Sequence, residues 1–324
     1  MIRIGKLELE NNIFLAPMAG VTDLPFRLIC KAQGAGFAYT EMISAKGVHY
    51  RSKNSFELAL TTDEEQPVGV QIFGSEPDVM AEAAKIFADR GANLIDINMG
   101  CPMRKITGNG EGSALMQDPG LIEKIVYAVV RASDVPVTVK LRRGFHTGVE
   151  TAPDCAVSAE RGGAAAVAVH GRYREEYYSG HSDWTVARRV KDAVNIPVIL
   201  SGDVTGPESA QNALAVSGAD ALMIGRAAMG DPWVFRLIAG TGGRPDNDER
   251  LSVIKQHLNL LREFKGNFTA ASEFRKHAIW YLKGLHGSAA VRDRICKTNE
   301  PDEIAQIIER YFEALKIDTS GIKE

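Results

Sequence analysis

Short apolar runs of strand length recur along the first three quarters of the chain, at residues 13–16, 37–42, 68–73, 93–98, 137–142, 166–170, 198–201 and 221–224. Helical periodicity fills much of the space between them, at 78–90, 121–132, 153–161, 184–194 and 207–217. Asp118-Pro119 and Gly206-Pro207 supply helix starts, where a proline suits the first turn. Gly34, Gly91, Gly162 and Gly218 sit where a helix would end before the next strand, as C-terminal caps. Strand then helix, repeated eight times over roughly 240 residues, predicts an α/β protein built as a (β/α)8 barrel of the TIM type.

Alternation within the strands predicts which side chains face inward, because neighbours on a strand point to opposite faces. Gly69 and Gln71 share one face, as do Thr138, Lys140 and Arg142, and again Ala168 and His170. These groups are expected inside the barrel near the carboxyl ends of the strands, where barrel enzymes do their chemistry. Polar residues there, in place of branched aliphatics, predict a polar, planar ligand over the mouth.

After Gly240 the pattern changes. Residues 241–248, Thr-Gly-Gly-Arg-Pro-Asp-Asn-Asp, read as a linker, which predicts a catalytic barrel over 1–240 and a helical domain over 241–324. Helical segments are expected near 250–264, 269–285, 289–296 and 301–315. Within 262–297 the bases Arg262, Lys265, Arg275, Lys276, Lys283, Arg292, Arg294 and Lys297 face only Glu263, Glu273 and Asp293. That excess suits a phosphate-binding face or a plain solvated one.

Composition narrows the classes without choosing among them. The 324 residues are 45% hydrophobic and 24% charged, with a net charge of −3, so any case for a polyanionic partner rests on local charge. Cys30, Cys101, Cys155 and Cys296 lie far apart with no Cys-x-x-Cys spacing, which argues against structural zinc, an iron–sulfur cluster or a redox dithiol. No resident metal is expected. The amino-terminal residues lack a signal-like apolar stretch and no apolar run reaches membrane length, so a cytoplasmic location is expected, with no membrane and no protein partner implied.

The candidate chemistry centres on Asn98-Met99-Gly100-Cys101-Pro102, which sets a thiol at a strand end. A thiol with an ordinary pKa near 8.5 is mostly protonated at neutral pH, so it can act as a proton donor; the alternative is a buried structural cysteine. Ser201-Gly202-Asp203 and Gly225-Arg226 follow the seventh and eighth expected strands, where barrels commonly bind phosphate. Lys140 inside the barrel needs an anion, either a reduced flavin's N1/C2=O region or an ion pair with Glu41 or Asp96. Gln71 can donate and accept at the edge of such a ring. No glycine cluster follows a strand in the G-x-G-x-x-G arrangement, so a dinucleotide fold is disfavoured, and residues 108–112 are expected to form a mobile flap beside Cys101.

Five motifs in order, Ala16-Pro17-Met18-Ala19-Gly20-Val21-Thr22-Asp23, Asn98-Met99-Gly100-Cys101-Pro102, Val139-Lys140-Leu141-Arg142, His170-Gly171-Arg172 and Ile224-Gly225-Arg226, resemble the tRNA-dihydrouridine synthases, most closely the bacterial B-type branch. The resemblance spans nearly the whole chain. It implies an FMN-bearing barrel with a helical RNA-recruiting domain that reduces particular tRNA uridines with NADPH. It also implies that Pro17, Met18 and Ala19 lie against the flavin ring, Gln71 and Lys140 on its polar edge, and His170 nearby. By the same resemblance Ser201, Gly202, Asp203, Gly225 and Arg226 hold the phosphate and ribityl chain, and Cys101 is the catalytic acid. Asn98 and Arg172 would contact the uracil, and Arg275-Lys276-His277 would meet tRNA.

Two departures stand out. Ser201 replaces an Asn that many relatives carry, and the flap 107–111 carries Glu111 in place of expected basic residues, a carboxylate that would repel RNA phosphates. In the implied reaction hydride adds at uracil C6 and Cys101 protonates C5, on a base extruded from the RNA stack and held by aromatics such as Tyr173, Tyr177 and Tyr178, at least one of which belongs to the core. The rival readings are an FMN-dependent dihydroorotate or dihydropyrimidine dehydrogenase acting on free bases, a flavin-free phosphate-binding barrel, and a non-catalytic RNA chaperone.

Overall fold

A computed structural model describes residues 1–320, with side chains to residue 316. The strands are β1 (Ile2–Ile4), β2 (Leu7–Leu9), β3 (Ile13–Leu15), β4 (Ala38–Tyr39), β5 (Ile43–Ser44), β6 (Val68–Phe73), β7 (Leu94–Met99), β8 (Val137–Gly144), β9 (Ala166–Tyr173), β10 (Val198–Ser201) and β11 (Ala221–Ile224). Parallel pairing runs in the order β3-β11-β10-β9-β8-β7-β6-β4. The ring closes at a parallel bridge between Phe14 and Phe37, where the Leu15 N–H donates to the Phe37 carbonyl at 2.8 Å. The expected eight-stranded barrel is therefore present.

Its interior has two characters. The lower part is apolar: Phe14, Phe37, Tyr39, Leu94, Ala166, Ala168, Ile199, Ala221 and Met223 form one buried cluster. Each large apolar side chain removed from water contributes about 1.5–3 kcal/mol. Alanines on β9 and β11 leave room for the aromatics of β3 and β4, with Phe37 and Tyr39 edge to face at 5.0 Å. The β1–β2 hairpin, turned at Gly5 with φ +57°, adds Ile2, Ile4 and Leu9 to this cluster, a plug the strand pattern did not predict.

Helices α1 (Leu24–Ala32), α2 (Ala45–His49), α3 (Lys53–Leu58), α4 (Pro77–Asp89), α5 (Arg104–Thr107), α6 (Pro119–Ala132), α7 (Ala152–Arg161), α8 (Thr185–Ala193) and α9 (Pro207–Ser217) accompany the barrel strands. Two local expectations are corrected. The run 37–42 is not one strand: only β4 lies within it and β5 begins just beyond it at Ile43, because the Thr40 hydroxyl, in place of a backbone carbonyl, accepts the Gln71 N–H at 3.1 Å. After α7 the left-handed turn falls on Gly163, φ +99°, while Gly162 keeps helical φ −69°.

The chain divides into two compact units, 1–225 and 226–324, so the boundary lies earlier than the expected linker. The second unit contains α10 (Val234–Ala239), α11 (Asn247–Leu282), α12 (Ser288–Lys297) and α13 (Pro301–Ser320). Residues 226–240 belong to it because Trp233 packs edge to face on Tyr281 at 6.2 Å and donates to Glu249 at 3.0 Å, and Arg236 pairs with Glu249 at 2.9 Å. The glycine- and proline-rich stretch is a loop within this unit. Gly266, φ +75°, breaks α11 between the two expected helical segments.

Candidate active site

The end of β7 turns sharply at Gly100 and places the Cys101 thiol, 8% exposed, at the carboxyl end of the barrel. Asn98 holds this turn. Its Oδ1 accepts the Gly100 and Cys101 N–H groups at 3.2 and 2.9 Å, and its Nδ2 donates to Gln71 Oε1 at 2.9 Å. Arg142 holds it from the other side, donating to the Gly100 carbonyl at 2.9 Å and to the carbonyls of Tyr173 and Tyr177 at 3.0 and 2.9 Å. The thiol loop is thus tied to β6, β8 and the loop after β9.

Burial pushes the Cys101 thiol above its ordinary pKa, opposed by a hydrogen bond from the Met103 backbone and by the charges of Arg142 and Lys140. At neutral pH it carries its proton. Burial and repulsion from Arg142 pull Lys140 down to about 8, against the attraction of Asp96 and Cys101. No side chain among the described residues hydrogen-bonds or ion-pairs with the Lys140 ammonium. The ion pair with Glu41 or Asp96, the alternative for this lysine, does not form. Asp96 instead accepts from Gln71 Nε2 and Thr138 Oγ1, each at 2.6 Å, and Glu41 accepts from the Gly20 N–H. Burial raises Asp96 to about 6.

The strand-seven and strand-eight loops lie where the sequence put them. Ser201 is buried at the end of β10, in register with His170 and Met223. Gly202 has φ +112°, and a Cβ there would stand 2.6 Å from the His170 ring and 2.5 Å from Ser182 Oγ, so only glycine fits. A Cβ on Gly225 would lie 3.5 Å from Met18 Sδ, which brings the loop after β3 beside the end of β11. Pro17 and Met18 are half-buried and Ala19 exposed on that loop, and Arg226 opens a short 3-10 turn directly after Gly225.

Several candidates are engaged differently from expectation. Arg172, expected near the uracil, is 1% exposed and donates to Ser179 O, Gly180 O, Asp203 Oδ2 and His170 Nε2 at 2.7–3.1 Å. A guanidinium only donates, so in this contact His170 Nε2 is the acceptor. Asp203 spends its carboxylate on Arg172 and on the Ser182 N–H at 2.7 Å. Gln71 is 1% exposed, with each end of its amide bonded inside the barrel. Glu111 is 4% exposed, with its carboxyl raised by burial, so it points away from the exposed face of the flap. Arg104 and Lys105, exposed on α5 just after the thiol, supply the cations the flap seemed to lack. Tyr173 is core at 5% exposure, whereas Tyr178 is 56% exposed and lies 6.4 Å from His170 and 5.7 Å from the Arg142 guanidinium.

In the helical unit, Arg275 and Lys276 reach the surface, but His277 is 1% exposed, its ring 4.5 Å from that of His257. Its place is the interior, where burial pulls its pKa well below the ordinary value. Ion pairs at 2.6–2.7 Å join Arg262 to Asp302, Lys265 to Glu273 and Lys297 to Asp293. Arg275, Lys276, Lys283, Arg292 and Arg294 have no acidic partner among the described residues.

Sequence reasoning placed Arg142 inside the barrel without giving it a role, and weighed Asp96 only as a counter-ion. The signal was available: Arg142 shares the inward face of β8 with Lys140, and Asp96 lies opposite Gln71 and Thr138 in register.

A parallel barrel with a buried thiol and an inward ammonium at the carboxyl ends of its strands belongs to the class of barrel enzymes. The family model described as dihydrouridine synthase (Dus) matches residues 14–316. A probable tRNA-dihydrouridine synthase of Rickettsia typhi is 42% identical over 319 residues, covering 96% of this chain and 98% of that one. tRNA-dihydrouridine synthase B of Pseudomonas putida is 42% identical over 299 residues, covering 90% and 89%. The chain belongs to the dihydrouridine synthase family, in its B-type branch, and is a flavin-dependent oxidoreductase that forms dihydrouridine in tRNA. Among solved structures, a variant of NCR from Zymomonas mobilis superposes with a TM-score of 0.55 at 19% identity, covering 76% of this chain and 92% of that one. Histamine dehydrogenase from Rhizobium sp. 4-9 gives 0.57 at 14%, covering 80% and 50%. These two likenesses concern the fold.

Proposed function

We propose that the barrel mouth takes FMN as its flavin, reduced by NADPH, and that Cys101 protonates uracil C5 during reduction of the C5=C6 bond of tRNA uridines. Bound reduced flavin supplies the hydride that C6 receives. The observation that carries the reading is Lys140, an inward ammonium without a partner beside a protonated thiol. An ammonium so placed favours an anion at the mouth, because desolvation otherwise drives off its proton.

This chain's residues divide the remaining work. Lys140 meets the negative charge of the ring edge, and His170 and Met18 line its surroundings. Backbone groups of Ser201, Gly202, Asp203 and Gly225 would hold the phosphate end, as at other barrel mouths. Ser201 offers its backbone N–H there. Pro17, Met18 and Ala19 would lie against the ring. Asn98 and Arg142 fix the loop that aims the Cys101 Sγ–H at C5, and Tyr178 offers an exposed ring for a flipped base. Arg172 acts through His170 and Asp203. Arg275 and Lys276 contribute to a phosphate-binding face on the helical unit. No helix among the described residues is long and apolar enough to cross a membrane, and we place the enzyme in the cytoplasm with its tRNA substrate.

The test is direct. Protein purified without added cofactor should release FMN on denaturation and, with NADPH, should add a pair of hydrogens to uridines of unmodified tRNA, read by nucleoside mass spectrometry. Release of FAD, or turnover of free uracil without tRNA, would replace this reading.

A further inference from the structure

A continuous chain of hydrogen bonds runs from the barrel interior to the thiol loop. Thr138 Oγ1 donates to Asp96 Oδ1 at 2.6 Å, and Gln71 Nε2 donates to Asp96 Oδ2 at 2.6 Å. Gln71 Oε1 accepts from Asn98 Nδ2 at 2.9 Å, and Asn98 Oδ1 accepts the N–H of Cys101 at 2.9 Å and of Gly100 at 3.2 Å. Every side chain in the chain is buried. Each amide has one oxygen and one nitrogen, so its orientation is set by the neighbour before it. Only an acceptor at position 96 points Gln71 Nε2 inward and leaves Oε1 for Asn98. Only that orientation of Asn98 presents Oδ1 to the two backbone N–H groups.

We infer that Asp96 is a positioning residue for the proton donor: it fixes the amide orientations of Gln71 and Asn98 and thereby the placement of the Cys101 loop. The inference rests on Cys101 being the acid of the reaction, and it joins the expected flavin-edge residue Gln71 to that acid. Losing the acceptor lets both amides rotate, and a rotated Asn98 sets its NH2 against two backbone donors. Leaving a buried donor unsatisfied is the costly outcome in such a network.

The Thr138 hydroxyl gives the inference a specific signature, because it can donate or accept. In Asp96→Asn the new Nδ2 donates to Thr138 while Oδ1 still accepts from Gln71, so the chain survives. In Asp96→Asn/Thr138→Val that acceptor is gone, and nothing holds the new amide in register.

Three measurements on the flavin-loaded enzyme test this. They are the turnover number for tRNA uridine, the rate of flavin reduction by NADPH, and the rate of iodoacetamide alkylation of Cys101 mapped by peptide mass spectrometry. Asp96→Ala should lower turnover about tenfold or more, leave KM for tRNA and flavin reduction within about threefold, and speed Cys101 alkylation by a similar margin as the loop loosens. Asp96→Asn should restore all three. The double variant should lose about tenfold more turnover than the product of the two single losses, since coupled sites are non-additive.

Unchanged turnover and alkylation in Asp96→Ala, failure of Asp96→Asn to rescue, or additive losses in the double variant would each overturn the inference. Should Asp96→Ala not fold, the near-isosteric pair carries the test alone. A Cys101→Ala enzyme that still reduces uridine would remove the acid assignment, while the alkylation rates would still report whether Asp96 places the loop.

Discussion

The barrel mouth and the helical unit use polar residues in opposite ways. At the mouth, Asp96, Gln71, Asn98, Arg142 and Arg172 are buried and bonded to one another or to backbone, so the donor and acceptor pattern is spent on geometry. The Lys140 ammonium stands apart from that saturation. In the helical unit, Arg275, Lys276, Lys283, Arg292 and Arg294 stay uncompensated while neighbouring cations are neutralised. Buried networks fix positions to fractions of an ångström, and surface charge acts at longer range with little demand on geometry. On the function proposed above, one region is built to aim atoms and the other to attract a polyanion.

That contrast can be broken by substitution. Cys101→Ala should cut uridine reduction by about 10²–10⁴-fold, the usual contribution of a positioned acid, while flavin content stays as in the parent. Steady-state turnover and the visible spectrum of the same preparation report both. Lys140→Ala should weaken FMN retention by about tenfold or more, as expected for losing a charge-assisted contact in a half-buried site. Equilibrium dialysis measures it, and an unchanged affinity would move the anionic site elsewhere. Arg275→Ala/Lys276→Ala should raise KM for tRNA several-fold with turnover unchanged, and should flatten the dependence of log affinity on log salt by about 1–2. A fall in turnover at unchanged KM would place these residues in aiming, not attraction.

The smallest effect is on stability, and its sign follows from Asp96. Its folded pKa of about 6 lies above the ordinary carboxylate value, so the cofactor-free protein holds the proton more tightly than the unfolded chain does. Stability from this group is fully present below about pH 4 and is lost as pH rises through about 6, a loss on the order of 2–3 kcal/mol. Denaturant midpoints across that range should fall with this slope in the parent and flatten in Asp96→Asn.

Much of this was legible in the sequence because it rests on period and position. All eight barrel strands fall on the apolar runs, and Gln71, Lys140 and His170 face inward as alternation requires. The β1–β2 plug was hidden because strands of three residues are too short to show a period. A glycine- and proline-rich stretch marks a loop, and here that loop falls inside the second compact unit, whereas the Trp233–Tyr281 packing that assigns residues 226–240 to it is a contact between distant positions. For the same reason Arg172 read as a uracil contact and His277 as a tRNA contact: motif and charge do not report burial. Asp96 was legible as an inward carboxylate, but its role depends on which atom of each amide faces which neighbour, and no one-dimensional pattern carries that.

The central claim is that a sulfhydryl at position 101 gives its proton to a base receiving hydride over the barrel mouth. Single-turnover mixing of pre-reduced enzyme with unmodified tRNA, following flavin absorbance and product mass together, tests it most directly. Parent enzyme should reoxidise in step with dihydrouridine formation, while Cys101→Ala, equally reduced and equally loaded with tRNA, should leave the absorbance flat and the tRNA unaltered. Equal rates in the two proteins would contradict the account.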